Sequence, residues 1–130
     1  MSKSKGNIIN LFLPDKKLRK QVMTIATDST PMEDPKDPDT CNVFALYKLV
    51  ADEDQLLIMR SNYIEGNYGY GHAKQALYEV LVEKFATERE RFNYFMDNLH
   101  EIDTALAVGA EKAKTVADAV LTRVRGKMGY

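Results

Sequence analysis

Apolar side chains in this chain recur every three or four residues and almost never alternate with polar ones, so the pattern predicts helices. The first is expected over Asp15 to Thr27, entered through Pro14 and capped by Asp15, with Leu18, Val22 and Ile25 on one side. Pro31, Pro35 and Pro38 then forbid helix or strand across "TDSTPMEDPKDPDT". A short buried helix is expected over Cys41 to Val50, and a further one, capped by Asp52, reaching about Tyr63. Gly66, Gly69 and Gly71 break the pattern again in "EGNYGYGH". From His72 the spacing predicts one long helix to about Asn98, its apolar stripe running from Leu77 through Val80, Leu81, Phe85, Phe92 and Phe95 to Met96. Glu88, Arg89, Glu90 and Arg91 form its solvated side. A segment from Glu101 to Val108 follows, with Gly109 as the junction to a last helix ending near Met128. In that helix Ala113, Val116, Ala117, Val120, Leu121 and Val124 are expected to face inward. Only Ile8 to Leu13 offers a short apolar run suited to a strand. The expected fold class is all-α, a bundle of five to six helices over residues 15–130, preceded by a short extended segment over residues 1–14.

Composition narrows the function classes. A chain of 130 residues that is 45% apolar suffices for one domain with a real core. A net charge of −1 excludes a globally basic nucleic-acid coat but leaves room for a local basic face. The single cysteine, Cys41, allows no internal disulfide and no cysteine zinc site. No run approaches a membrane span and no apolar leader opens the chain, so a soluble, cytoplasmic domain is expected. Several strand runs alternating with helices would be needed for a nucleotide-binding α/β domain, and they are not present in this sequence.

The candidate chemistry is sparse. Lys16, Lys17, Arg19 and Lys20 are the densest basic cluster, and Lys112, Lys114, Arg123 and Arg125 follow later; solvated helix faces and phosphate contacts both fit them. Lys74 stands near the start of a helix entered through a glycine loop, where a cation opposes the helix dipole; a contact to a partner and a simply exposed lysine both fit it. Asp37 and Asp39 sit on the long proline loop, placed to accept hydrogen bonds from bases rather than for acid–base catalysis. Tyr68 and Tyr70 are placed to stack. His72 and His100 have no partner at metal spacing, and Cys41 reads as a buried residue at a helix start. The opening "MSKSKGN" fits two readings, an ordinary polar terminus or a mobile loop whose lysine meets charge developing on a departing pyrophosphate.

Two long segments decide between them. "NYIEGNYGYGHAKQALYEVLVEKF…ERERFNYF" and "GAEKAKTVADAVLTRVRGKMGY" resemble the C-terminal end of bacterial tryptophanyl-tRNA synthetases. "ATDST" resembles that family's Thr-Asp-Ser, and "MSKS" falls at the right distance before it to match the KMSKS signature loop of class I synthetases. Lys5-Gly6-Asn7 departs from the acidic residue and proline that many tryptophan enzymes carry there. The resemblance implies an ATP-dependent tryptophan–tRNA ligase, homodimeric and cytoplasmic, using ATP and Mg2+ and acting on tRNA(Trp), with no membrane or DNA partner. It implies that residues 1–14 are a remnant of the signature loop and linker, that Met1 marks a cut, and that residues 15–130 receive the anticodon arm. Met1, Ser2, Lys3 and Ser4 would contact ATP, Lys3 as the catalytic cation; Lys74, Asp37 and Asp39 would contact the anticodon. The segment alone would hold no cofactor and catalyse nothing. A tyrosyl-type synthetase and a free-standing helical tRNA- or protein-binding module are the alternatives.

Overall fold

The computed structural model describes residues 7–129 and contains six helices: α1 (Asp15–Met23), α2 (Asn42–Tyr47), α3 (Glu53–Glu65), α4 (Tyr70–Lys84), α5 (Ala86–Asp97) and α6 (Leu99–Met128). No strand occurs among the described residues, and the stretch from Ile8 to Leu13 is coil and turn whose Ile9, Leu11 and Leu13 pack on the core. None of the described helices is long and apolar enough to cross a membrane. The chain divides into two units, Met1–Arg89 and Glu90–Tyr130.

The first unit holds the core. α1 presents Leu18 and Val22 one turn apart, both fully buried, and α4 lies against α1 and α2 with Ala73, Leu77, Val80 and Leu81. Val43, Phe44 and Tyr47 of α2 and Met59 and Tyr63 of α3 complete it. α3 begins where expected: Asp52 accepts from the Gln55 N–H while the Gln55 side chain accepts from the Asp52 N–H, a reciprocal capping box.

Several boundaries differ from the sequence expectation, including α2, which spans Asn42–Tyr47 rather than Cys41 to Val50. α1 stops at Met23 rather than Thr27, and Pro14, not Asp15, is its cap. The Thr24 N–H and hydroxyl take carbonyls of the last turn, and the β-branched Thr24, Ile25 and Thr27 are weak helix formers. Asp15 lies in the first turn instead and pairs with Arg89. The long helix expected from His72 to Asn98 is two helices, starting at Tyr70 and interrupted at Phe85. Phe85 packs on the core, and Arg89, expected to be solvated, is drawn in to the Leu11 carbonyl and Asp15. Neither anchor is visible as a helix breaker.

The second unit is organised by α6, which runs unbroken through Gly109 where a junction was expected. A single glycine weakens a helix by about 1 kcal/mol relative to alanine, which the alanine-rich flanks tolerate. The stripe expected to face inward is not buried: α6 has no buried residue, and Val116, Val120, Leu121 and Val124 are all exposed. Phe92 and Met96 are likewise exposed. Nothing lies within 4 Å of a Cβ added at Gly109. Gly109→Ala is therefore expected to stabilise α6 by about 1 kcal/mol, read as a gain in helicity on heating.

Candidate nucleic-acid interface

The long proline loop between α1 and α2 is ordered from within. Asp28 Oδ1 accepts from the Thr30 N–H at 2.8 Å and from the Tyr70 hydroxyl at 2.8 Å. The Thr30 hydrogen bonds, then the Tyr70 hydroxyl, hold the Asp28 carboxyl below the usual carboxylate range. Burial, and then donation to Asp28, pushes the Tyr70 hydroxyl up to about 12. Next along the loop, residues 36 to 39 alternate: Lys36 and Pro38 are buried, Asp37 and Asp39 exposed. Asp37 Oδ1 accepts from the Asp39 N–H at 2.9 Å, and Asp39 pairs with Arg60 of α3 at 2.5 Å. Both partners of that pair are well exposed, so it contributes at most about 1 kcal/mol and leaves Asp39 available to a better donor.

A ring cluster supports the loop. Tyr63 is fully buried, its ring 5.7 Å from Phe44, 5.9 Å from Tyr68 and 6.2 Å from Tyr70, and its hydroxyl lies 3.3 Å from Cys41 Sγ. Tyr68 also meets the His72 ring at 5.6 Å. The two tyrosines of the glycine loop are therefore half-buried and meet the Tyr63 ring tilted or edge-on, and Cys41 is the buried residue at a helix start that its setting predicts.

Lys74 lies one turn inside α4, because the helix begins two residues before His72. Its ammonium donates to the Met23 carbonyl at 3.3 Å, at the negative end of α1. The dipole argument that marked Lys74 from sequence is thus answered by α1, whose C-terminus attracts the charge that its own helix start does not. Along α1, Lys16, Lys17 and Lys20 stay exposed, and Arg19 donates to Gln75 of α4 at 2.9 Å. Beside the loop, a polar notch of about 280 Å³ is lined by Ala26, Thr27, Asp28, Thr40, Cys41 and Asn42. A larger, mostly apolar cleft of about 480 Å³ runs between Ile8 and Ile9, the end of α1 and Leu46 of α2.

Met1, Ser2, Lys3 and Ser4 lie outside the described residues. Among the described residues no group of three histidine, cysteine or acidic side chains is placed to hold a metal ion. Lys36, Arg60 and Asp28 were not singled out from sequence. Only the bracketing of Lys36 by Pro35 and Pro38 hinted at a constrained position.

No family model matches the chain. It is 43% identical over 117 residues to the tryptophan–tRNA ligase of Fusobacterium nucleatum, covering 90% of this chain and 36% of that protein. With the Rhodopirellula baltica ligase the identity is 43% over 129 residues, 99% of this chain and 40% of that one. The crystal structure of tryptophanyl-tRNA synthetase from Campylobacter jejuni superposes with a TM-score of 0.94 at 38% identity, covering 100% of this chain and 42% of that one. This chain thus spans 36% to 40% of the length of these two curated relatives. In sequence along nearly all its length, and in its all-α fold, the chain is a homologue of the C-terminal part of the tryptophan–tRNA ligases.

Proposed function

We propose that this chain works as the C-terminal, tRNA-binding part of a tryptophan–tRNA ligase, which activates tryptophan with ATP and transfers it to tRNA(Trp). The observation that carries this reading is the match over nearly the whole chain to tryptophan–tRNA ligases, in sequence and in structure. The setting it implies is a homodimeric, cytoplasmic enzyme. In it, Lys3, with Met1, Ser2 and Ser4, would meet the phosphates of ATP, its ammonium offsetting charge on the leaving pyrophosphate. Mg2+ would arrive as the ATP complex, and no ligand for it is assigned in this chain.

The loop chemistry supports a division of labour on the RNA. A carboxylate repels phosphate, so Asp37 and Asp39, exposed on the proline loop, suit donors on base edges of unstacked anticodon nucleotides. Lys16, Lys17 and Lys20 on α1 suit backbone phosphates, which set affinity without reading sequence. Lys74 remains the third proposed anticodon contact; its bond to the Met23 carbonyl is long enough to exchange for an RNA acceptor.

Binding of the 130-residue chain to tRNA(Trp), titrated against salt, tests the reading. The affinity is expected to fall on a log–log plot with a slope of roughly −2, as about three lysines release counterions. The same sample is expected to show no tryptophan-dependent ATP–pyrophosphate exchange. Binding that is absent at every salt concentration, or an exchange activity of its own, defeats the proposal.

A further inference from the structure

Beneath Asp37 and Asp39 lies a cation for which the reading above has no use. Lys36 is 5% exposed and is the one charged residue buried among the described residues. Its ammonium donates to three main-chain carbonyls, those of Pro31 at 2.7 Å, Asp34 at 2.9 Å and Met32 at 3.2 Å. It also stands 5.5 Å from the centre of the Tyr70 ring. A lysine ammonium has three donors, and this loop supplies three acceptors. Taking such a charge out of water is tolerable only when those bonds are made. The buried charge therefore selects the one loop conformation that turns these carbonyls inward. The Lys36 N–H adds a second tether, to the Tyr63 carbonyl at 2.7 Å. With Lys36 held inward, Pro38 is buried beside it at the start of the turn over residues 38–40, while Asp37 and Asp39 stay exposed.

We propose that Lys36 is a positioning residue for RNA readout, its carbonyl-held ammonium fixing the loop so that Asp37 and Asp39 face outward as acceptors for base edges. The proposal rests on the tRNA-binding reading above. It is tested with the full 130-residue chain, wild type and Lys36→Met, which keeps the stem and removes the charge. The probes are the tRNA(Trp) anticodon stem-loop and the same stem-loop with its anticodon replaced.

The wild type is expected to prefer the cognate stem-loop by about tenfold or more. Lys36→Met is expected to lose most of that preference while its affinity for the replaced anticodon and its helical content stay unchanged. Asp37→Asn and Asp39→Asn, damaging in the wild type, should have little further effect in the Lys36→Met background, because the same contact is already lost. Hydrogen exchange reports the loop directly: the Asn67 N–H, bonded to the Glu33 carbonyl, should exchange faster in Lys36→Met. Faster exchange with the anticodon preference intact would make Lys36 a structural residue only and overturn the proposal. A wild type with no preference between the two stem-loops would instead defeat the tRNA reading itself, and that result is read without any variant.

Discussion

Tyr63→Ala is expected to destabilise the first unit by about 3–5 kcal/mol, the range for emptying a buried aromatic site. Tyr63 is fully buried and meets the rings of Phe44, Tyr68 and Tyr70, so α2, α3 and the approach to α4 all lose a shared partner. Set against a typical domain stability of roughly 5–15 kcal/mol, the loss is a large fraction of the whole. The main-chain carbonyl that receives the Lys36 N–H belongs to the same residue, so loop order should fall with it. Urea unfolding followed by circular dichroism measures the change. Tyr63→Phe keeps the ring and gives up only the Cys41 contact at 3.3 Å, so it is expected to lose about 1 kcal/mol or less at neutral pH.

The two variants also separate in alkali. Burial, helped by Cys41, raises the Tyr63 hydroxyl far above its ordinary value of 10. The unfolded chain releases that proton near pH 10 while the folded chain keeps it, so the unfolded state binds fewer protons and stability falls as pH rises. The slope from this one group is about 1.4 kcal/mol per pH unit above pH 10. Burial raises Tyr47 and Tyr68 as well, so the wild type should unfold steeply in this range. Tyr63→Phe should unfold less steeply by that one share. An equal slope in the two proteins would show that Tyr63 does not control alkaline unfolding.

Gly66→Ala is the second large effect, expected to remove about 1–3 kcal/mol through the backbone alone. Gly66 closes α3 at φ +80° and ψ −171°, a conformation that side chains all but forbid. An added Cβ would also stand 2.5 Å from the Glu33 carbonyl oxygen, which cannot swing aside as a side chain does. That carbonyl accepts from the Asn67 N–H, so relieving the clash pushes the proline loop off the end of α3. The expected readout is lower thermal stability together with a weakened preference for the cognate anticodon stem-loop. Gly71→Ala is the matched control: it lies in the first turn of α4 with nothing within 4 Å of the new Cβ, so stability should hold or rise slightly.

How far the fold was legible follows from where the information sits. α3 was readable because Asp52 and Gln55 are three residues apart and form a local box. The all-α class was readable because apolar spacing is a local property. The break at Phe85 was not, since it coincides with docking of Phe85 and with Arg89 reaching residues more than seventy positions away. The apolar stripe of α6 misled for a related reason: periodicity names an apolar face but says nothing about what covers it. At the candidate interface, Asp37 and Asp39 were singled out from proline spacing and polarity, both local, and both are exposed in the structure. Lys36, between Pro35 and Asp37, has only its neighbouring prolines to set it apart from the charges around it.

The chain's sequence thus determined the helical class, the capping of α3, the long proline loop and the likeness to tryptophan–tRNA ligases, because each depends on residues close together or on whole matched segments. The tertiary structure decided which lysine goes inside, since burying a charge requires acceptors gathered in space from Pro31, Met32 and Asp34 and a ring from Tyr70. It likewise decided that Lys74 faces the end of α1 and that Gly66 must be glycine, because both depend on a neighbour that only folding brings within reach.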